Sequence, residues 1–411
     1  MSTKYLPPLI FLVASCGDGA PSVEYSTEPA RFAVVRSDYQ STSIALLDAA
    51  GQTVDPAVFS SASAPPGLVA PLSGDVVLPS GTLGADGTFA VIDRYLTDVV
   101  TRLALPGGEV IGQVRVAPST ADFSTNPQDI VVVNETSAWV SRYSVDEDDV
   151  AGRGSDLLEV DLASYRQTGR RVSLASLTTT VSGDIPIYPR PSRMVRVGQT
   201  LVVGLDLASA DFLEAGPGAV ALVRLDDLSV TRFALPESLR SCGSVSAVPG
   251  VADRVVVACM GFPTLDAEPE RIRTTSGVFS LRISASGVAE IVWSWRPEGA
   301  EPLAVSAVVP LDADRFVGVE SGSTARGPDV AYVIDVASSA ADPLLTAASP
   351  YSLGRAGWDP DTGRILLPER SAGHAGIHRI LSISTGFELE GVVRFEDGPL
   401  PPAAISLLES N

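Results

Sequence analysis

The sequence predicts an all-β chain folded as a β-propeller of seven four-stranded blades. Apolar and polar residues alternate over short stretches, and Asp or Gly stands at the bends between them. Pairs of such strands recur along the chain, and no long stretch beyond the first residues has the period of an α-helix. Sheets repeated in this way bury both faces when they pack around a common axis.

The repeat consists of two hairpins. One hairpin occurs seven times, in 44–54, 101–116, 157–174, 220–235, 278–295, 331–349 and 379–395. Its turns follow one another at a mean spacing of about 56 residues. A second hairpin precedes most of them, in 130–145, 194–207, 245–261, 307–321 and 358–370. Each unit therefore has four strands. Six or eight blades are the alternatives, because the first unit is short.

One pair of segments resembles the bacterial YVTN-type β-propeller repeat family. These segments are "NPQDIVVVNETSAWVSRYSVD" and the following "LLEVDLASYRQTGRRVSL". As in that family, a proline precedes the first strand, an exposed turn and a Val-Ser strand follow, and a later strand ends in Asp. The resemblance covers residues 30–400 and implies a fold without an activity. We expect the propeller to occupy 31–411, with residues 23–36 closing the ring against the last blade.

Residues 1–15 have the pattern of a lipoprotein signal peptide. A short polar start containing Lys4 leads into the apolar run 5–14, which is too short to cross a hydrocarbon core of ~30 Å. Residues 13–16, VASC, resemble a bacterial lipobox, which implies cleavage before Cys16 and lipidation of that cysteine. The alternatives are a plain signal peptide, or a start codon placed too early with Cys16 as an ordinary thiol.

The leader sets expectations about location and partners. Acyl chains on Cys16 would anchor the chain to a membrane, and 16–30 would form a flexible tether. An aspartate after the lipidated cysteine would resemble an inner-membrane retention signal, but residue 17 is glycine. Gly17 therefore favours the outer membrane or the cell surface, with a periplasmic face as the alternative. The net charge of −20 argues against nucleic acid. We expect a monomer that meets a protein or glycan partner through a loop face.

If Cys16 is lipidated, the two remaining cysteines, Cys242 and Cys259, can pair with each other. They lie at equal distances from a predicted turn near Gly250 and Val251, so we expect them directly opposite each other on two antiparallel strands. An exported chain meets an oxidising compartment, which favours a disulfide. The alternative is a pair of buried thiols that pack as small apolar side chains.

The histidines of the chain are His374 and His378. A spacing of four residues suits a metal site on a helix, but the surrounding residues predict a loop that enters a strand. A third ligand is not apparent, so we predict no metal site and no cofactor.

The most acidic stretch is 145–156. Its carboxylates could bind Ca²⁺; they are Asp146, Glu147, Asp148, Asp149 and Asp156. Their spacing differs from that of an EF-hand loop, and a solvated loop between strands is the favoured interpretation.

Two further features favour structural roles. We expect the tryptophans, Trp139, Trp293, Trp295 and Trp358, to pack blade against blade. The sequence DPDTG at 359–363 predicts a turn between two strands, because Asp accepts backbone hydrogen bonds and Gly adopts positive φ.

The sequence contains no recognisable set of catalytic residues. A G-x-S-x-G motif and a phosphate-binding loop are both missing, and the single lysine, Lys4, belongs to the leader. The first hypothesis is therefore a non-enzymatic, lipid-anchored binding or scaffold module. Its candidate binding loops are 118–128, 146–156, 180–192, 208–219 and 262–276. The alternative is an enzyme resembling propeller lactonases or quinoprotein dehydrogenases, with its site in the axial channel.

Overall fold

The computed structural model describes residues 25–411 except 82–83, 85, 119–122, 182, 262–267, 299–301, 303, 385, 396–397, 399 and 410–411. In this part of the chain, seven four-stranded antiparallel sheets surround one axis. The predicted seven-bladed β-propeller is therefore confirmed. The signal peptide, Cys16 and most of the tether lie outside the described residues, so they stay predictions.

Blades 2 to 7 are meanders in which chain order runs from the axis outward. Blade 2 comprises Val76–Val77, Thr88–Asp93, Val99–Ala104 and Val110–Arg115. Blade 3 comprises Pro127–Asn134, Ser137–Val145, Gly154–Asp161 and Arg166–Ser173. Blade 4 comprises Pro191–Val197, Thr200–Leu205, Ala219–Arg224 and Val230–Ala234.

The second half of the disc repeats the same plan. Blade 5 comprises Ser244–Ala247, Arg254–Met260, Ser276–Ile283 and Ala289–Trp295. Blade 6 comprises Ser306–Pro310, Arg315–Glu320, Val330–Asp335 and Ala340–Thr346. Blade 7 comprises Gly357–Asp359, Arg364–Glu369, Gly376–Ile383 and Gly386–Val393. The predicted hairpins of these six blades are all present.

Blade 1 joins the two ends of the chain. From the axis outward it comprises Pro402–Leu407, Phe32–Ser37, Thr42–Leu47 and Thr53–Ser60. Phe32 pairs with Leu407, and Val34 pairs with Ile405. The expected closure of the ring is present, and its strand pairing begins at Phe32 within a sheet shared by both ends.

Three short elements lie between the blade strands. They are a 3₁₀ turn, Ala175–Leu177, a hairpin of Thr179–Val181 with Ile185–Ile187, and an α-helix, Pro269–Thr275. The helix was not predicted, because seven residues are too few to show helical periodicity. Among the described residues no helix is long and apolar enough to cross a membrane.

The hydrophobic core is divided into clusters between neighbouring blades. Val220 of blade 4 belongs to one cluster with Phe279 of blade 5. Phe32 of blade 1 belongs to another with Leu366 of blade 7, which completes the ring. Each sheet is therefore buried on both faces, as the repeat pattern predicts.

The tryptophans contact neighbouring blades, as predicted. Trp139 is buried in the cluster between blades 3 and 4. Trp293 Nε1 donates to the Ala313 carbonyl at 2.8 Å, and Trp358 Nε1 donates to the Leu311 carbonyl at 3.0 Å. Trp295 packs in the cluster between blades 5 and 6.

All innermost strands run in the same direction, so the connections divide between two faces. We define the turn face as the one carrying the links from first to second and from third to fourth strands. The loop face carries the links from second to third strands and the links between blades.

The strand Phe32–Ser37 begins at the turn face. There the preceding Ser26 donates through its backbone N–H to the Thr53 carbonyl at 2.7 Å. The described N-terminal segment therefore joins the disc at the turn face.

Candidate functional site

The five candidate loops of the sequence analysis meet on the loop face. Each is either a link between the second and third strands of a blade or a link from one blade to the next. Their described parts cover the sector from the end of blade 2 to blade 5. The loops are far apart in the sequence, and propeller closure brings them to one surface.

Exposed aromatic side chains are concentrated on the same face. Tyr39, Tyr95, Phe212 and Tyr351 are 69%, 57%, 52% and 57% exposed, and all four lie in loop-face connections. The other strongly exposed aromatic residue of the described part is Tyr25, which precedes blade 1 at the turn face. Aromatic side chains supply large contact areas in binding interfaces. Their placement marks the loop face as the candidate binding surface.

A cavity of about 400 Å³ opens in the loop face among blades 2, 3 and 4. Its lining includes Tyr95, Phe123, Tyr143, Glu147, Arg190 and Phe212. We call it the Arg190 cavity. It combines aromatic rings with one acidic and one basic side chain, which is the usual composition of a site that orients a ligand by a few polar contacts.

Arg190 is almost fully buried at the bottom of this cavity. Its Nε donates to the Ala208 carbonyl at 3.3 Å, and its Nη2 donates to the Ser209 carbonyl at 2.9 Å. The guanidinium carbon lies 4.1 Å from the ring centre of Phe212 and 5.5 Å from that of Tyr143. Burial lowers the pKa of Arg190. The cation is thus held by carbonyl oxygens and ring faces, which attract positive charge.

Asp206 lies behind Tyr143. Burial raises the pKa of Asp206 to about 6, although hydrogen bonds from Tyr143 and from the Gly243 backbone favour its charged form. Burial, followed by the charge of Asp206, raises the pKa of Tyr143. Asp206 does not line the Arg190 cavity. It therefore positions Tyr143 and does not itself contact a ligand in that cavity.

Gly243 permits this arrangement because it has no side chain. A Cβ atom at this position would lie 2.4 Å from Asp206 Oδ1. The backbone of the link into blade 5 can therefore approach the carboxylate of blade 4 closely.

The disulfide between Cys242 and Cys259 is present. The Met260 N–H donates to the Ser241 carbonyl at 3.1 Å, and the Cα atoms of the two cysteines are 3.9 Å apart. The cysteines therefore lie directly opposite each other, as predicted. Cys242 lies just before the strand and pairs with Leu205 of blade 4 in an isolated bridge. The pairing shifts by one residue between Cys242 and Ser244, since Ser244 pairs with Ala258.

The two histidines occupy different environments. His374 lies in the turn before Gly376–Ile383, and His378 lies within this strand, as the predicted loop-to-strand transition requires. His378 Nε2 is 2.7 Å from Glu369 Oε2. In the described ranges, no group of three or more His, Cys, Asp or Glu side chains could hold a metal ion.

The acidic stretch 145–156 separates into two parts. Glu147, Asp148 and Asp149 are exposed, as predicted for a solvated loop. Asp156 is buried at the start of a blade 3 strand, where it accepts hydrogen bonds from Arg142 at 2.7 and 2.6 Å. Arg171 Nε also lies 2.9 Å from Asp156 Oδ2. Asp156 is therefore part of a structural ion cluster and not of an open set of Ca²⁺ ligands.

The fold is similar to those of several solved propellers. A hypothetical selenium-binding protein from Sulfolobus tokodaii matches with a TM-score of 0.58 and 10% identity, over 93% of this chain and 94% of its own. The Pseudomonas aeruginosa periplasmic gluconolactonase matches with a TM-score of 0.53 and 13% identity, over 92% and 99%. Kuenenia stuttgartiensis hydrazine synthase matches with a TM-score of 0.53 and 13% identity, over 84% and 93%. At these identities the likeness shows the fold alone.

Neither protein-family models nor curated proteins gave a match to this chain.

Sequence reasoning did not identify Tyr143, Arg190 or Asp206 as members of one site. Tyr143 lies in the second strand of blade 3, Arg190 lies in the link between blades 3 and 4, and Asp206 follows the second strand of blade 4. One signal was available: Arg190 stands between two prolines in a long loop, two residues after Tyr188. An arginine in such a rigid, apolar segment is a candidate for a buried contact.

Proposed function

We propose that this chain is a non-enzymatic binding propeller of the cell envelope, anchored by an acylated Cys16, that meets a protein or glycan partner through its loop face. The observation that carries the proposal is the concentration of exposed aromatic side chains and of the Arg190 cavity on one face. A rigid disc that carries variable loops is a common arrangement for recognition.

The chain path supports this assignment. The N-terminal segment reaches the disc at the turn face, where the Ser26 hydroxyl donates to Asp48 Oδ2 at 2.6 Å. An anchor at Cys16 would therefore hold the turn face toward the membrane. A tether of about nine residues before Tyr25 spans at most ~30 Å. The loop face would then point away from the bilayer and toward a partner.

The chemistry of the loop face suits an amphipathic partner surface. Tyr95 and Phe212 offer ring faces at the mouth of the Arg190 cavity, and Glu147 offers a carboxylate. Rings of this kind stack on the apolar faces of sugars and pack against side chains of proteins. Stacking on sugars and packing against protein side chains are both non-covalent contacts.

Affinity capture from detergent-solubilised envelope tests the proposal. The loop-face variant replaces Tyr95, Phe212 and Tyr351 by serine, and the turn-face control replaces the exposed Val288 and Ile383 by serine. We expect the native chain and the turn-face control to recover the same partner, and the loop-face variant to recover about tenfold less, since loss of aromatic anchors removes much of an interface's binding energy.

Mass spectrometry of the captured bait reports the anchor in the same experiment. We expect an acylated Cys16 at the N-terminus of the mature chain. Equal recovery by the loop-face variant, loss of the partner by the turn-face control alone, or failure of the native chain to recover any partner would each contradict the binding proposal. An unmodified Cys16 would contradict only the anchor.

The alternative function, an enzyme resembling propeller lactonases or quinoprotein dehydrogenases, is tested on the purified protein. Metal analysis and an absorption spectrum report a bound metal or a quinone cofactor. A stoichiometric metal or chromophore would favour the alternative.

A further inference from the structure

The axial channel contains two arginines from widely separated blades. Arg193 lies on the innermost strand of blade 4, and Arg355 lies immediately before the innermost strand of blade 7. Both reach the same inner segment of blade 2. Arg193 Nη1 donates to the Leu78 carbonyl at 3.0 Å, and Arg355 Nη2 donates to the Ser80 carbonyl at 3.0 Å. The two guanidinium groups therefore converge near the axis.

The positive charge of this pair is not neutralised. Among the described residues neither arginine forms an ion pair with a carboxylate. Asp129 is the carboxylate that acts on both. Its oxygens accept backbone N–H groups from Ser80 at 2.9 Å, Ile130 at 2.9 Å and Met194 at 2.7 Å. Two cations thus face one carboxylate inside a chain whose net charge is −20.

The environment of Arg355 reflects this excess of positive charge. Burial, followed by the charge of Arg193, lowers the pKa of Arg355 to about 10. Burial also lowers the pKa of Arg193. An anion between the two groups would remove the repulsion and replace lost solvation.

Several N–H groups of the pair remain available. Within the described ranges, Arg193 bonds only through Nη1, to the carbonyls of Leu78 and Gln128. Its Nε and Nη2 form the edge of a guanidinium that binds a carboxylate or a phosphate through two parallel hydrogen bonds. The Nε of Arg355 is likewise not used, since this side chain bonds through Nη1 and Nη2. An anion can therefore bind without displacing the carbonyl contacts.

A cavity of about 420 Å³ leads from the turn face to Arg355. Its charged lining residues are Arg355, Arg31, Asp361 and Glu409, and Arg193 lies outside the lining. Three serines also line it, Ser80, Ser246 and Ser406. The Ser246 and Ser406 hydroxyls donate to carbonyls at 3.2 and 3.4 Å, whereas the buried Ser80 Oγ has no hydrogen-bond partner in the described part of the chain. The volume suits a small metabolite, and the unpartnered hydroxyl suits a polar one.

We propose that the axial channel binds a small organic anion through its carboxylate or phosphate group. Arg355 and Ser80, which line the cavity, would hold it together with Arg193, which reaches the same segment of blade 2 from blade 4. The site is separate from the Arg190 cavity, which lies on the opposite face. Its occupation does not depend on the partner proposed for the loop face.

Isothermal titration of the disulfide-bonded protein tests the proposal, with gluconate, glucose 6-phosphate and glucose as probes at constant chloride concentration. We expect saturable binding of at least one anion and none of glucose. The anion that binds identifies the recognised group as a carboxylate or a phosphate. Arg193→Gln and Arg355→Gln should each weaken binding about tenfold or more, since each removes charge-assisted hydrogen bonds. The exposed Arg196→Gln, on the same strand as Arg193, should leave it unchanged.

Thermal unfolding of the native chain gives a second measurement that needs no variant. We expect the anion that binds to raise the unfolding temperature, and sodium chloride of equal ionic strength not to do so. The proposal is overturned if neither anion binds, if glucose binds as tightly as the anions, or if both arginine variants, folded by circular dichroism, bind as the native chain does.

Discussion

Blade 4 shows how the two faces of the disc differ. On the turn face its chain reverses within 198–199 and 225–229, whereas on the loop face it extends through 206–218 and 235–243. Turns on the turn face are held by local contacts: Asp161 of blade 3, for example, accepts the backbone N–H groups of Ala163 and Ser164.

The loop face is fixed by contacts between distant parts of the chain. Asp329 of blade 6 accepts the backbone N–H groups of Tyr351, Ser352 and Leu353, which precede blade 7, at 2.8, 2.6 and 2.8 Å. The carboxylates on the loop face thus stabilise the connections between blades. The difference teaches that the turn face closes each blade with short turns, while the loop face carries the connections between blades and presents the candidate site.

Among paired substitutions on the two faces, the largest difference in the free energy of unfolding is expected for the buried ion cluster of blade 3, on the loop face. Asp156→Ala leaves Arg142 without its buried carboxylate partner and should lower the free energy of unfolding by about 3–5 kcal/mol. Denaturation by urea measures this value. The turn-face control is Asp361→Ala, whose carboxylate is 74% exposed and pairs with Arg31. Its effect should stay within about 1 kcal/mol, and equal losses for the two variants would remove this contrast between the faces.

The next largest effect is a dependence of native stability on pH that comes from Asp206, on the loop face. Because the folded protein holds this proton more tightly than the unfolded chain does, native stability should fall as pH rises from about 4 to about 6, and then level off. Asp206→Asn removes that penalty. Above pH 6 the free energy of unfolding of the variant should exceed that of the native chain by up to about 3 kcal/mol, and the two values should converge near pH 4. Urea denaturation across this pH range measures both.

Asp161→Asn on the turn face provides the control of opposite sign. Backbone N–H groups of Ala163 and Ser164 lower the pKa of Asp161. Its carboxylate therefore stabilises the fold above its ordinary pKa, and the variant should be less stable than the native chain at neutral pH. The loss should shrink as the pH falls below about 4. A pH profile of the same sign for both variants would show that burial of Asp206 does not control its titration.

A smaller effect is expected for a methyl group added at Gly243. The Gly243→Ala side chain would contact Asp206 Oδ1, so the backbone or the carboxylate must move, at a cost of about 1–3 kcal/mol. Gly81→Ala on the turn face is the matched control, because its new Cβ would have no heavy atom within 4 Å. It should change the unfolding free energy by less than about 0.5 kcal/mol. A neutral Gly243→Ala would show that the close approach is not required.

The repeat and the strands were predictable because they depend on local sequence. Alternation in segments such as 220–235 and Asp or Gly at their bends indicated the hairpins, and the seven outer hairpins indicated seven blades, which the seven sheets of the structure confirm. The turn at 359–363 formed as predicted, with Gly363 at a φ of 67° and its N–H donating to the Asp359 carbonyl at 2.9 Å. Local hydrogen bonds of this kind depend on a few adjacent residues.

The candidate sites were not predictable, because their members meet only after the ring closes. Arg193 and Arg355 come from opposite parts of the chain, and Tyr143 and Asp206 come from different blades. Contacts between blades override local geometry at these points.

Residue-specific photo-cross-linking in intact cells tests most directly whether the loop face recognises a partner while the turn face serves attachment. The photoreactive amino acid benzoylphenylalanine is placed at Phe212 on the loop face or at Val288 on the turn face, two exposed positions. We expect a discrete cross-linked partner from position 212 and none from position 288. A partner cross-linked from position 288 and not from position 212 would contradict it.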